Sequence, residues 1–258
     1  MVGCDLDGTL VRTDGTIAAR SVAAVARAEE AGVPFVIVTG RPPRWLPDVA
    51  DALGHHGLAV CANGALVYDL HTERVVREQL LDVDALREVV DALRAEVAGA
   101  SFAVEYGDGF FRESDYQPRW DADNPHVTVV ASDVLLQRPA AKLLVRHATL
   151  GPDELLKTAQ AAVGHRATLT HSSTDGLLEV SASGITKASG LAALADDRGI
   201  EAGDVIAFGD MPNDLPMLAW AGRSYAVANA HPEVLAAADE VIESNDDHGV
   251  ARTLERWF

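Results

Sequence analysis

Cys4-Asp5-Leu6-Asp7-Gly8-Thr9-Leu10 sets two carboxylates two residues apart, where a short apolar run from Met1 gives way to a glycine and a hydroxyl. Buried in a strand without partners, either carboxylate is very costly. At a strand end that opens into a glycine turn, both are tolerable if a cation or phosphate chemistry lies nearby. The stretch therefore predicts a first strand that delivers acidic groups to one edge of a sheet.

Working outward, the same pattern recurs. Val33 to Val38 is a nearly continuous apolar run, as expected for a strand buried on both faces of a parallel sheet, and it ends at Thr39-Gly40-Arg41. Between the two runs, Asp14-Gly15 signals a turn, and Thr16 is expected to cap a helix from about Ile17 to Ala31 that stops at Gly32. A helix is expected over 45–53, a third strand over Leu58 to Cys61, then the turn Ala62-Asn63-Gly64-Ala65 and a hairpin over 66–69 and 75–78. Strand, helix, strand, helix, strand indicates an α/β fold with a Rossmann-like parallel sheet. In such sheets ligands sit outside the carboxyl ends of the strands, where both the acidic turn and Thr39 fall.

From Asp82 the character changes. An amphipathic helix over 84–98 places Leu86, Val89, Val90, Leu93 and Val97 on one face. Short β-prone runs follow at 101–106, 109–112, 141–147, 166–171 and 177–181, with a helix at 152–163 and a loop and short helix over 127–136. This reads as an inserted α+β domain spanning 81–183, with the first domain made of 1–80 and 184–258. After the insertion, Thr186 caps a helix that carries Lys187, and Asp204 to Phe208 is a strand ending at Gly209-Asp210-Met211-Pro212-Asn213-Asp214.

Bulk properties narrow the function classes. The chain of 258 residues is 48% hydrophobic and 23% charged, ordinary for a soluble globular protein. Its net charge of -18 argues against nucleic acid or an anionic membrane as partner. No apolar run reaches the roughly 18 residues of a membrane span, and Asp5 and Asp7 interrupt any secretory signal. Cys4 and Cys61 sit in apolar settings, which fits free thiols in the cytoplasm. A chain this acidic can bind phosphate only by concentrating positive charge locally.

Three strand ends thus present Asp5 with Asp7, Thr39 with Gly40, and Asp210 with Asn213 and Asp214. Such a cluster of acids cannot all stay ionised without a cation, and its oxygen ligands favour Mg²⁺. A carboxylate can attack phosphorus to give an acyl phosphate. A second carboxylate can protonate the leaving oxygen and then activate water. Thr39, the backbone amides around Leu6 and Gly40, and Lys187 are suited to hold the phosphoryl oxygens.

Asp5-Leu6-Asp7-Gly8-Thr9, Thr39-Gly40-Arg41, Lys187 and Gly209 to Asp214 resemble, in order, the four motifs of the haloacid dehalogenase superfamily of phosphatases. The insertion resembles the C2-type cap. Ala62-Asn63-Gly64-Ala65 and Ala228-Asn229-Ala230 narrow the likeness to the Cof-like branch. The resemblance implies Asp5 as nucleophile and Asp7 as general acid and base. It implies Mg²⁺ on the Asp5 carboxylate, the Asp7 carbonyl and Asp210, supported by Asp214. Phosphate is implied on the backbone of Leu6 and Gly40 and on the side chains of Thr39, Lys187 and Asn213. The implied activity is hydrolysis of a small phosphorylated metabolite, sugar phosphates first. Two departures from the family pattern are the short lead-in before Asp5 and Ala228, where relatives often carry glycine or methionine.

Other readings compete at single motifs. Asp-x-Asp-Gly alone is often a solvated turn, and a calcium loop needs Glu twelve positions in, where this chain has Thr16. Lys187 alone reads as a surface residue. Arg41 and Arg44 suit phosphate steering and surface ion pairing equally. Arg119, His126, Tyr116 and Lys142 are candidate substrate contacts in the insertion, although surface or core roles suit each better. For the whole chain, the alternatives are a phosphoryl transferase or mutase, and a phospho-aspartate signalling or binding module.

Overall fold

The computed structural model describes residues 1–118, 127–172 and 176–258. They form two compact units, one of Met1–Arg77 with Thr186–Phe258 and one of Glu78–Ile185. In chain order the first unit holds β1 (Val2–Cys4), α1 (Ala19–Glu30), β2 (Phe35–Val38), α2 (Pro47–Leu53), β3 (Leu58–Cys61), β4 (Leu66–Asp69) and β5 (Arg74–Glu78). The second holds α3 (Val83–Glu96), β6 (Ser101–Tyr106), β7 (Gly109–Arg112), β8 (Val127–Val129), α4 (Ser132–Leu135), β9 (Lys142–Arg146), α5 (Pro152–Val163), β10 (Ala167–Thr170) and β11 (Leu177–Ala182). The first unit then resumes with α6 (Lys187–Asp196), β12 (Ile206–Gly209), α7 (Leu215–Trp220), β13 (Arg223–Val227), α8 (Pro232–Ala237), β14 (Glu240–Ile242) and α9 (Gly249–Leu254).

The first unit is an eight-stranded sheet in the order β14-β13-β12-β1-β2-β3-β4-β5. Every pairing from β14 to β3 is parallel, and β4 returns antiparallel to β3. The thin lead-in before Asp5 suffices: Val2, Gly3 and Cys4 are all buried and pair with β12 on one side and β2 on the other. The chain leaves β1 towards β2 on one flank and returns as β12 on the other. Asp5 therefore follows directly on the strand where the winding direction reverses, the place where open α/β sheets bind ligands.

Thr16 does not cap α1. Its hydroxyl and amide both bond the Asp14 side chain, at 2.5 and 3.0 Å, and the helix begins at Ala19 with Ala18 as its N-cap. A short polar side chain two residues upstream outcompetes the capping role. Thr186 does cap α6, in a reciprocal box with Ser189.

The second unit carries a six-stranded sheet, β10-β11-β9-β6-β7-β8, antiparallel except between β7 and β8. Residues 127–129 make a strand where a loop is expected, because Phe110 to Arg112 offer a pairing edge that a three-residue run cannot announce. Leu86, Val89, Val90 and Leu93 of α3 are fully buried, together with Val97 just past the helix. At about 1.5–3 kcal/mol per buried side chain, this face outweighs the marginal intrinsic stability of so short a helix. Arg119 and His126 lie outside the described residues. Tyr116 packs edge-on against Phe110, 6.0 Å between ring centres, and buried Lys142 pairs with Glu179. Among the described residues no helix is long and apolar enough to cross a membrane.

Candidate active site

Three carboxyl-terminal strand ends and one helix start build the site. Asp5 follows β1, its amide donating to the Phe208 carbonyl at 3.1 Å. Thr39 follows β2, its amide bonded to the Val60 carbonyl at 2.8 Å. Lys187 opens α6, and Asp210 to Asp214 follow β12. Asp5, Thr39, Lys187, Asp210, Asn213 and Asp214 are all buried.

Lys187 is the hub. Its ammonium donates to Asp5 Oδ1 and to Asp214 Oδ1, each at 2.6 Å, with the lysine side chain 1% exposed. Asp214 spends its other oxygen on the amides of Asp210 and Met211, both at 3.0 Å. It thereby ties the loop after β12 to the lysine. Asp210 Oδ1 accepts from the Thr9 hydroxyl at 3.2 Å. Oxygens of Asp5, Asp210 and Asp214 all lie within 4.8 Å of one another.

One ammonium faces three carboxylates, so positive charge is short. Burial pushes the Asp5 carboxyl up to about 7: Lys187 opposes the rise, while the charges of Asp214 and Asp7 add to it. Burial, then the charges of Asp5 and Asp214, lift Asp210 to about 9. Burial pulls Lys187 down, but Asp214 and Asp5 outweigh it and keep the ammonium protonated. The all-oxygen donor set fits a hard divalent cation. The turn beside it is tight: at Gly8, which has φ +80°, a Cβ would lie 2.2 Å from Asp210 Oδ2, so the backbone passes where only glycine can.

Asp7 stands apart from the three acids. Its side chain is 60% exposed and takes a two-pronged bond from Arg41, Nε to Oδ2 at 2.8 Å and Nη2 to Oδ1 at 2.5 Å. Of the two uses open to Arg41, this one is an ion pair with an acid of the opening motif. Leu6 is buried, and its carbonyl accepts from the amides of Thr9 and Val11, which closes the acidic turn. Gly40 and Arg41 complete the Thr39 loop, where the Arg41 amide donates to Thr39 Oγ1 at 3.0 Å.

Two asparagines have site roles that the sequence did not assign. Asn63 is buried in the left-handed region at φ 56°, its amide bonded to the Thr39 carbonyl and its side-chain oxygen to Asn213 Nδ2 at 3.1 Å. Asn229 donates to the Gly8 carbonyl at 2.8 Å and pins the acidic turn. Asn63 carried a signal, since Asn before Gly at a strand end marks tolerance of positive φ, but the partners of both asparagines are remote in sequence.

Close packing enforces the constellation. At Gly209 a Cβ would sit 2.5 Å from the Asp214 Cβ and 2.6 Å from its Cγ. Gly209→Ala is expected to cost about 1–3 kcal/mol by overpacking and to displace Asp214 from Lys187. Urea denaturation checks this, and an unchanged midpoint rejects the packing argument.

Fold and site together define an α/β enzyme core with an acidic, cation-seeking centre. Residues 2–254 match the family model for haloacid dehalogenase-like hydrolases, and the chain belongs to that family. It is 30% identical to the pyridoxal phosphate phosphatase YbhA of Escherichia coli, over 98% of this chain and 96% of that one. It is 28% identical to the 5-amino-6-(5-phospho-D-ribitylamino)uracil phosphatase YcsE of Bacillus subtilis, over 100% and 95%. The crystal structure of SMU.1108c from Streptococcus mutans superposes with a TM-score of 0.87 at 22% identity, covering 99% of this chain and 97% of that one.

Proposed function

We propose that the chain is a phosphomonoesterase for small phosphorylated metabolites, with Asp5 as its nucleophile. One observation carries the reading: a buried carboxylate at the switch point of a parallel sheet is held by a buried lysine, with a second and third carboxylate beside it. A purely structural ion pair has no need of the two extra acids. The two relatives named above act, by name, on phosphate esters of different leaving groups, which supports the general class.

Asp5 and Asp210 would hold Mg²⁺ together with the Asp7 carbonyl. Asp214, with both oxygens already engaged, would act by fixing Asp210 and Lys187. When bound, the ion neutralises charge on the phosphoryl oxygens and draws an anionic ester into an acidic site. An Asp5 oxygen attacks phosphorus, the ester P–O bond breaks, and the leaving oxygen takes its proton from the Asp7 carboxyl. Asp7, now a carboxylate, removes a proton from water, which attacks phosphorus and releases phosphate and Asp5. Thr39, Asn213, Lys187 and the amides of Leu6 and Gly40 hold the phosphoryl oxygens throughout. The second unit, read as a cap, selects the leaving group and excludes bulk water. Sugar phosphates are the first class to screen.

The test is steady release of phosphate from p-nitrophenyl phosphate in Mg²⁺, with Asp7→Asn alongside. Turnover by the native protein and its loss in Asp7→Asn support the hydrolase mechanism. A single burst of one p-nitrophenol per chain, with the phosphoryl group kept on the protein and no phosphate released, instead identifies a phospho-aspartate module. Normal turnover by Asp7→Asn overturns the assigned role of Asp7.

A pH dependence follows from the raised carboxyls. Without metal, the folded protein keeps protons on Asp5 and Asp210 that the unfolded chain releases near 3.8. That contribution to stability is complete below 3.8 and is lost as pH rises through about 7 for Asp5 and about 9 for Asp210. Metal ligation requires both groups ionised. The rise in Tm on adding Mg²⁺ is therefore expected to be larger near pH 9 than near pH 6, measured by calorimetry. A shift that does not change with pH removes these two acids as ligands.

A further inference from the structure

We propose that Arg41 changes partner during the reaction: it holds Asp7 in the ligand-free protein and passes to the phosphoryl group of the entering substrate, which releases Asp7. The inference rests on the phosphatase reading above and concerns how its proton donor is set free.

The geometry poses the problem directly. Both Asp7 oxygens accept from the Arg41 fork. In this arrangement both carboxylate oxygens are turned to the guanidinium rather than to a leaving group. Release of the fork frees the Asp7 carboxyl to turn towards the leaving oxygen. The pair opens from its acidic end: Asp7 is 60% exposed while Arg41 is 21% exposed and keeps a further bond from Nη1 to the Trp45 carbonyl at 3.4 Å, and solvent screening at the carboxylate limits the pair to about a fivefold effect on an equilibrium.

The arginine is anchored so that only its side chain need move. Its amide donates to Thr39 Oγ1, and its carbonyl accepts from the Ala62 amide at 3.0 Å. Its base is thus part of the same loop as Thr39 and Gly40, the groups assigned to the phosphoryl oxygens. Its charge also reaches Asp5, which contributes to holding the guanidinium protonated after the larger effect of Asp7. The planar fork that fits a carboxylate fits a phosphate equally well, and the phosphate carries more charge. Arrival of a phosphoryl dianion beside Thr39 thus offers Arg41 a better partner than the one it leaves.

The competing account makes Arg41 a fixed positioner of Asp7 that never touches phosphate. Binding of inorganic phosphate in Mg²⁺ buffer separates the two, read by titration calorimetry on the full chain and independent of turnover. Asp7→Asn is expected to tighten phosphate binding about three- to fivefold, because Arg41 is freed. Arg41→Gln made in the Asp7→Asn background is expected to weaken it at least about tenfold, the worth of a charge-assisted fork. Arg41→Lys, which keeps the charge without the fork, should fall between. If Arg41→Gln leaves affinity within about twofold in that background, partner exchange is wrong and Arg41 only positions Asp7. That result with p-nitrophenyl phosphate still hydrolysed by the native protein sinks the exchange alone. Absence of both hydrolysis and phosphate binding sinks the phosphatase reading itself.

Discussion

Asp5→Asn is expected to abolish turnover of p-nitrophenyl phosphate, by at least about 10⁴-fold in kcat, while the protein stays folded. The size of the effect follows from the role: removing a nucleophile stops the covalent route altogether, and what remains is only binding and electrostatic help. The substitution is isosteric, so packing around β1 is untouched. It also removes a carboxyl that burial holds protonated to unusually high pH, which makes the metal-free variant no less stable than the native protein near neutral pH. A second readout distinguishes lost chemistry from lost structure. The carboxamide still accepts from Lys187, but it offers a poorer ligand, so the stabilisation by Mg²⁺ shrinks in the same variant. Residual activity above about 1% of native would mean that another group attacks phosphorus, and Asp5 would lose its assignment.

The candidate site was legible because its parts are contiguous in sequence and lie at strand ends. Asp5 to Thr9, Thr39 to Arg41 and Asp210 to Asp214 each combine a turn-forming residue with an oxygen or nitrogen group after an apolar run. The sheet that aligns them follows from the alternation of strands and helices. Lys187 was different. Alone on a helix it resembles any surface lysine, and only the 182-residue span to Asp5 closes the circuit. Asn63, Asn229 and Arg41 were present in turns with recognisable composition. Their work, however, is done on Asn213, Gly8 and Asp7, none of which is a sequence neighbour.

The errors have local causes. Thr16 lost its capping role to Asp14, a competition decided by which hydrogen bond closes the tighter ring. Residues 127–129 gained a strand from their neighbour β7, since three residues carry no period of their own. Lys142 and Tyr116 are no such error: the pairing of Lys142 with Glu179 and the packing of Tyr116 against Phe110 are the core roles that suited both better than substrate contact. Motif chemistry is written in short words, whereas leaving-group selection depends on side chains brought together only by tertiary folding.

Lys187→Met should produce the largest loss of stability of any single change in the site, about 3–5 kcal/mol. The native lysine is 1% exposed and satisfies Asp5 and Asp214, which are 6% and 0% exposed. Methionine fills much the same volume, so a cavity contributes little. The cost comes from leaving two buried carboxylates, with Asp210 beside them, and no cation among them. Part of the loss is recoverable. The abandoned acids can take up protons, so the variant is least destabilised at low pH and most destabilised at high pH, opposite to a packing defect, which is insensitive to pH. Mg²⁺ should also restore more stability to the variant than to the native protein, because it supplies the missing charge. Urea denaturation near pH 6 and pH 9, with and without Mg²⁺, reads all three effects. A loss below about 1 kcal/mol at the higher pH would show that the three acids tolerate one another without Lys187. The shortage of positive charge, on which both the cation site and the phosphatase reading depend, would then have to be abandoned.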